Sequence, residues 1–269
     1  MKITLIIATI NRHDSLIKLL ESLRRQTVAI SRIILVDQNP KIFLEEALRA
    51  FHDLPLVRLC VAPCGVSAAR NIGIPYIESD DVVGFPDDDC YYADDTLEQV
   101  EKFFTQDKMN SIVLGEWHVA PKPSKGISCK AITKFSAFLS GETYTQFYRG
   151  AVVKEVGLFD TRFGPGTDSP FISGEDTDYL VRALQLGHRA KRHSAIQIFH
   201  PRIFYNDINK IRGYACGRMH LLRKHRYPLW FRLAITLYPL LRIPLDFLLT
   251  FREIFYYRAR MFWFRLLYF

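Results

Sequence analysis

Three carboxylates stand side by side in Phe85-Pro86-Asp87-Asp88-Asp89-Cys90, directly after the apolar run Val82-Val83-Gly84-Phe85. A run of that kind reads as a buried strand, so the acids sit where the chain leaves a sheet. Adjacent negative charges repel one another, and a fold tolerates three of them best with a cation in their midst. Carboxylate oxygens are hard ligands that suit magnesium or manganese, ions that commonly bridge to the phosphates of a nucleotide. The competing reading is a solvated acidic turn that caps the next helix together with Asp94 and Asp95. The triplet alone does not separate the two.

Three further stretches hold chemistry-bearing side chains. In Gly65-Val-Ser-Ala-Ala-Arg70-Asn71-Ile-Gly73, Ser67 reads as a helix N-cap that projects Arg70 and Asn71 from the first turn. A helix start favours anions and arginine adds a bidentate partner, although a surface arginine would look the same. A Gly/Pro-rich loop over 157–174 ends in Glu175-Asp176 at the start of a helix that runs to Leu186. Long loops in compact domains are usually functional, whereas acids at a helix start are also ordinary dipole partners. Finally, His200-Pro201 ends the strand-like Ala195–Phe199. A lone histidine is more often structural than a ligand, but this one sits at a strand end.

The elements that must position these residues alternate. Strand-like runs at Ile3–Thr9, Arg32–Asp37, Leu56–Val61 and Val82–Phe85 are separated by helical patterns at Asp14–Arg25, Phe43–His52 and from Ser67. This alternation predicts an α/β fold with a mostly parallel sheet and helices on both faces. Ligands of such sheets bind beyond the carboxyl ends of the strands. Thr9, Asn11, Asp37 and Asp87–Asp89 all fall at those ends. Downstream, the pattern predicts a helix over Thr96–Phe104, strands over Ser111–Val119 and Tyr144–Arg149, a short helix over Ala151–Val156, and a Pro/Lys/Gly loop over 120–130.

The chain has 269 residues, 49% of them hydrophobic, enough for one large core with an appendage. The first nine residues read as a buried strand rather than a signal peptide. Five cysteines without regular spacing argue against zinc and for a reducing cytoplasmic setting. Charge is uneven: residues 1–187 hold 20 Lys and Arg against 25 Asp and Glu, residues 188–269 hold 16 against 3. The basic back therefore suggests an anionic partner, either nucleic acid or the cytoplasmic membrane leaflet. After an arginine-rich helical stretch, residues 229–251 are apolar but contain Arg232, Arg242 and Asp246, with Pro239 and Pro244 as breaks. Helices lying in the membrane interface are expected rather than a span, since arginine and aromatic residues alternate to the end. Packing on the catalytic part or on a second subunit is the alternative.

In order and spacing the pieces together resemble family-2 glycosyltransferases of the GT-A fold, over roughly residues 1–200. The matching pieces are Ala8-Thr9-Ile-Asn11-Arg12, Val36-Asp37, Gly65-x-Ser67-x-Ala69-Arg70-Asn71-x-Gly73, Phe85-Pro-Asp-Asp-Asp89, Val156-Gly-Leu-Phe-Asp160 and Gly174-Glu175-Asp176. The resemblance implies a Rossmann-like GT-A catalytic domain over 1–201 and a basic, aromatic helical extension over 202–269. It implies a nucleotide-sugar pocket lined by Thr9, Asn11, Asp37, Arg70, Asp87 and Asp88, with Asp37 near the base. It further implies a manganese or magnesium ion on Asp89, Asp87 and His200, with Asp176 as catalytic base. Such an enzyme would move a sugar, with inversion, from a UDP-sugar to a saccharide or polyprenyl-linked acceptor. It would work at the cytoplasmic face of the membrane, touching anionic lipid and no nucleic acid, with the C-terminal helices available for oligomer formation. A nucleotidyltransferase on the same sheet is weakened by the lack of a Gly-rich loop after the first strand. A nucleic-acid-binding protein using residues 188–226 leaves the strand-end acids without a purpose.

Overall fold

A computed structural model describes residues 1–121, 126–201, 207–249 and 252–269, with side chains omitted at 242–249 and 252–255. The front of the chain alternates β1 (Lys2–Thr9), α1 (His13–Arg24), β2 (Arg32–Asp37), α2 (Ile42–Arg49), β3 (Leu56–Cys60), α3 (Val66–Gly73) and β4 (Asp81–Gly84). These four strands pair in parallel, in the order β3-β2-β1-β4. Their period of two sends alternate residues into two cores. Ile3, Leu5 and Ile7 of β1 meet Leu16, Leu19, Leu20 and Leu23 of α1. Ile6 joins Ile34, Val36 and Ala69 on the other face. Each fully buried side chain of this kind contributes about 1.5–3 kcal/mol. Both faces of the strands are therefore apolar, and polar groups are pushed to the strand ends.

The back half is built differently. It comprises β5 (Tyr91–Tyr92), α4 (Thr96–Gln106), β6 (Ile112–His118), β7 (Cys129–Ile132), α5 (Lys134–Ser140), β8 (Gln146–Arg149), α6 (Gly150–Val156), α7 (Glu175–Gln185) and β9 (Ala190–Phe199). The sheet continues β4-β8-β6-β9-β5, with β7 also on β9. β8 runs antiparallel to β4 and β6, β9 is parallel to β6, and β5 and β7 are antiparallel to β9. The sheet is thus parallel in front and mixed behind. Hydrophobic periodicity reports burial, not strand direction, which the connections set.

Local departures from the expected elements have physical causes. The strand expected over 144–149 begins at Gln146, because residues 143–145 close a 3-10 turn. Residues 129–130, expected in a loop, belong to β7; the rest of that loop includes 122–125, outside the described residues. Ser67 does not cap α3. Gly65 does, at φ +81°, and Ser67 Oγ instead donates to the Phe163 carbonyl, 2.7 Å away.

Three helices end the chain: α8 (Ile208–Lys224), α9 (Leu229–Leu249) and α10 (Arg252–Leu267). α9 continues through Pro239 and Pro244, which were expected to break it. A proline removes one helical hydrogen bond at a cost of about 3 kcal/mol, and packing outweighs that here. Phe231 and Ile235 of α9 bury with Met219, Leu221 and Leu222 of α8 and Phe138 of α5. α8 is set deep enough that a Cβ on Gly217 would lie 2.2 Å from the Ser173 carbonyl oxygen. No helix among the described residues is long and apolar enough to cross a membrane. Part of the basic surplus is folded inward: Arg192, Arg218, Arg232 and Arg265 donate to the carbonyls of Ser140, Phe138, Phe269 and Ile235.

Candidate active site

The carboxyl ends of β1, β2 and β4 open on a cleft of about 850 Å³. Ala8 and Ile10 line it from β1, Gln38 from β2, and Asp87, Asp88 and Asp89 from β4. The remaining wall comes from Trp117 on β6, the turn before β8, the start of α7, His200 after β9, and α8.

Asp87, Asp89 and His200 each offer a ligand atom, and these atoms lie within 4.8 Å of one another. His200 Nε2 is 3.0 Å from Asp89 Oδ1. The ring's other nitrogen, Nδ1, is 2.7 Å from the Pro201 carbonyl and must donate there, which turns Nε2 into the ligand atom. Stacking on Tyr144, at 4.7 Å between ring centroids, holds the imidazole in plane. Burial works to lower the His200 pKa, but Asp89 outweighs it and the ring sits above its ordinary value. Burial likewise works to raise Asp89, and His200 and Arg12 bring it below the usual carboxylate range. Arg12 Nη1 lies 3.3 Å from Asp89 Oδ2. Two carboxylates and one imidazole fit manganese or magnesium, and the nitrogen ligand favours manganese.

The other two acids of the triplet are less compensated. Burial, with Asp89 and Asp87 adjacent, pushes Asp88 up to about 7 even though Thr9 Oγ1 donates to its Oδ2 at 2.8 Å. Asp87 is pushed up to about 6 by burial, against the pull of Arg70. Arg70, only 2% exposed, bridges two elements. Its Nη2 meets Asp87 Oδ1 at 2.6 Å and its Nη1 meets Asp176 Oδ1 at 3.2 Å.

Asp176 reaches the cleft through a tightly fastened loop. At the start of α3, a Cβ on Gly65 would lie 2.9 Å from the Gly166 carbonyl oxygen, so only glycine lets the two segments close. Val66 N–H donates to the Pro165 carbonyl at 3.0 Å. Asn71 clamps Phe159, donating to its carbonyl at 2.9 Å and accepting from its N–H at 2.7 Å. Gly174, at φ +108°, then turns the chain into α7. There Thr143 Oγ1 and Arg70 both donate to Asp176 Oδ1. No described side chain donates to Oδ2, and the Thr143 backbone N–H also pulls on the carboxyl. Burial raises the Asp176 carboxyl above its usual range, against the pull of Arg70 and Thr143. Beside it, burial pushes Glu175 to about 8, and its Oε2 has no partner.

The structure therefore brings Arg70, Asp87, Asp88, Asp89, Asp176 and His200 to one cleft. Thr9, Asn11 and Asp37 stand one step behind it. Thr9 holds Asp88. Asp37 is fully buried, its Oδ2 taken by Arg58 at 2.6 and 2.9 Å and its Oδ1 by Asn39 at 2.7 and 2.9 Å. Asn11, at φ +54°, donates its N–H to Asn39 Oδ1 at 2.6 Å. Sequence reading assigned no role to Arg12, Trp117, Thr143 or Tyr144. Arg12 follows a strand-end motif and was within reach; Trp117 and Tyr144 lie in expected strands, and Thr143 just before one, with no motif to mark them.

Comparison with known proteins gives a consistent result. Residues 4–129 match the model of glycosyl transferase family 2. The chain is 35% identical over 195 residues to YwdF of Bacillus subtilis strain 168, an uncharacterized glycosyltransferase, across 68% of this chain and 70% of that one. Among solved structures, it is similar to the mannosyltransferase PcManGT of Pyrobaculum calidifontis, in complex with GDP-Man and manganese. That match has a TM-score of 0.70 at 14% identity, over 99% of this chain and 85% of the other. TarS 1–349 of S. aureus, in complex with UDP-GlcNAc, matches with a TM-score of 0.62 at 16% identity, over 98% and 89%. The chain spans 54% of a longer TarS chain. These two structures share its GT-A fold.

Proposed function

Since the chain belongs to glycosyltransferase family 2 and is a glycosyltransferase, we propose that it is a metal-dependent, inverting one that uses a UDP-sugar. Asp87, Asp89 and His200 would hold a manganese or magnesium ion. When bound, that ion neutralises the charge that builds on the departing diphosphate. Asp176 Oδ2 accepts the proton of an acceptor hydroxyl as its oxygen attacks the anomeric carbon. The bond from that carbon to the diphosphate breaks on the opposite face and the electron pair leaves with the phosphate. One base and no enzyme nucleophile give inversion. Arg70 keeps Asp176 and Asp87 at a fixed separation, so base and diphosphate end are aligned before substrate arrives. The observation that carries the reading is Asp176 on the wall of the cleft, raised by burial, with Oδ1 pinned by Arg70 and Thr143 and no described side chain on Oδ2. A nucleotidyltransferase is set aside by the family, and no observation favours one.

For the acceptor, a lipid-linked saccharide at a membrane surface is the reading that α9 supports. Leu229, Trp230, Leu233, Leu237 and Leu241 are 43–68% exposed and recur at helical spacing. Arg223 and Arg226 stand exposed at the head of this stripe. An apolar stripe headed by cations suits an anionic interface. Vesicle flotation tests it: the chain should float with anionic vesicles more than with neutral ones, and Leu233→Glu with Leu237→Glu should abolish the difference. Equal flotation of both forms would contradict it. A cut after Tyr227 is a poorer test, because it would strip Phe231 and Ile235 from the core they share with α8.

Calorimetric titration of UDP and GDP, with and without manganese, tests the donor side. UDP should bind more tightly with manganese present. Binding of neither nucleotide, or binding indifferent to metal, would contradict the reading.

A further inference from the structure

The cleft holds two side chains that the proposed chemistry leaves unused. Glu142 directly precedes Thr143, which fixes the base, and Arg218 enters from α8. Glu142 Oε2 is shut off from solvent without a hydrogen-bond partner, and the residue's own backbone N–H also pulls on the carboxyl. Arg218 Nη2 donates to the Phe138 carbonyl at 3.0 Å, and its guanidinium lies 4.4 Å over the Phe138 ring. Arg218 Nε has no partner, and no acid among the described residues pairs with it.

Leaving a buried polar group unpaired costs about 1–3 kcal/mol, so a pair of them on a cleft wall calls for a partner from the cleft. Burial raises the Glu142 carboxyl, although Arg192 and Arg218 pull the other way. Burial also lowers Arg218, opposed mainly by Glu142. The supports behind them are firm. Arg192 fixes Ser140 through both its hydroxyl and its carbonyl, and Gln146 Nε2 donates to the Gly141 carbonyl at 2.7 Å. The turn that carries Glu142 is held from both sides.

We propose that Glu142 and Arg218 form the acceptor subsite and take an uncharged sugar unit, Glu142 accepting from one hydroxyl while Arg218 donates to a neighbouring oxygen. This rests on the transferase reading, since the unit must present a hydroxyl to Asp176. Charge decides the class. Glu142, Asp168, Glu175 and Asp176 line the cleft with Arg218, while Arg70 and Arg12 are already taken by Asp87, Asp176 and Asp89, so a phosphate or carboxylate there would meet more acids than cations. Sugar hydroxyls satisfy both a carboxylate and a guanidinium. Trp117 and Tyr214 line the same cleft and supply apolar faces for the ring.

The test is saturation-transfer NMR on the full chain, with UDP and manganese present. The probes are the methyl glycosides of glucose, galactose, mannose and N-acetylglucosamine, with methyl glucuronide as the charged comparison. At least one neutral glycoside should bind better than the glucuronide. Glu142→Gln and Arg218→Lys should each weaken it about tenfold while UDP affinity changes less than about twofold. Three results overturn the proposal: no neutral glycoside binds, the glucuronide binds as well as they do, or the variants lose UDP and glycoside together. If neither UDP nor GDP binds wild type, the donor reading fails, whereas the glycoside arm still decides this one.

Discussion

Two aspartates in the first turn of α7 meet opposite surroundings, although a single residue, Thr177, separates them. Asp178 faces α8. Its Oδ2 accepts from Arg182 Nε at 2.9 Å, and its Oδ1 from His225 Nε2 at 2.8 Å and Lys224 Nζ at 2.6 Å. Burial works to raise it, but His225 and Lys224 outweigh that and hold it below the usual carboxylate range. Asp176 faces the cleft with a single cation, which it shares with Asp87, and is raised. The first arrangement saturates a carboxylate and makes a joint between α7 and α8. The second leaves a carboxylate short of cations on the cleft wall, the condition that the proposed base requires. Charge compensation, rather than burial alone, separates structure from chemistry here.

Disturbing the cleft side should cost activity and spare the fold. Asp89→Asn, or chelation of the metal, should reduce turnover by about 100-fold or more. Its melting temperature should fall only modestly, because the pairing with His200 and Arg12 that holds Asp89 below the usual carboxylate range is lost while repulsion within the triplet is relieved. Near-normal turnover in Asp89→Asn would remove that residue from the metal site.

Disturbing the joint should do the reverse. Asp178→Ala leaves His225 without its buried partner and Lys224 with Asp160 alone, and should destabilise the fold by about 3 kcal/mol in urea titration. Turnover per folded molecule should change little. The sign of the pH effect follows from the depressed pKa. Asp178 stabilises above its unfolded value of about 3.9, and that contribution is lost as pH falls through its lower folded value. Asp178→Asn should therefore flatten the acid limb of the stability curve below about pH 4. Unchanged melting with lost turnover would make Asp178 a reagent after all.

The smallest effect concerns Glu175. Its folded pKa, about 8, lies above the unfolded value, so wild type loses stability as pH rises from the carboxylate range to about 8. Glu175→Gln should gain stability over wild type, the difference growing across that interval and level beyond it. A stability difference independent of pH would mean that Glu175 is ionised in the fold.

The front of the fold was legible because β1 to β4 bury both faces, which leaves apolar runs whose ends collect the polar residues. Arg70, Asp87, Asp89 and Asp176 could be read from motifs of neighbouring residues. The Asp176–Asp178 distinction could not, since it depends on Lys224 and His225, more than forty positions away in the chain. Thr143, Glu142 and Arg218 were silent for the same reason: each meets its neighbours only after β8 and α8 are in place. β5 has two residues and α5 seven, too few to display a period. The tail's charge count pointed outward, whereas Arg192, Arg218, Arg232 and Arg265 turn inward onto carbonyls.

The most direct test of the account is the turnover of Asp176→Asn, measured as nucleoside diphosphate release alongside calorimetric donor binding. The substitution keeps size and removes the basic oxygen. Turnover should fall by about 100-fold or more while donor affinity and melting temperature stay at wild-type values. Turnover near wild type, or loss of donor binding in its place, would contradict the assignment of Asp176 as the base.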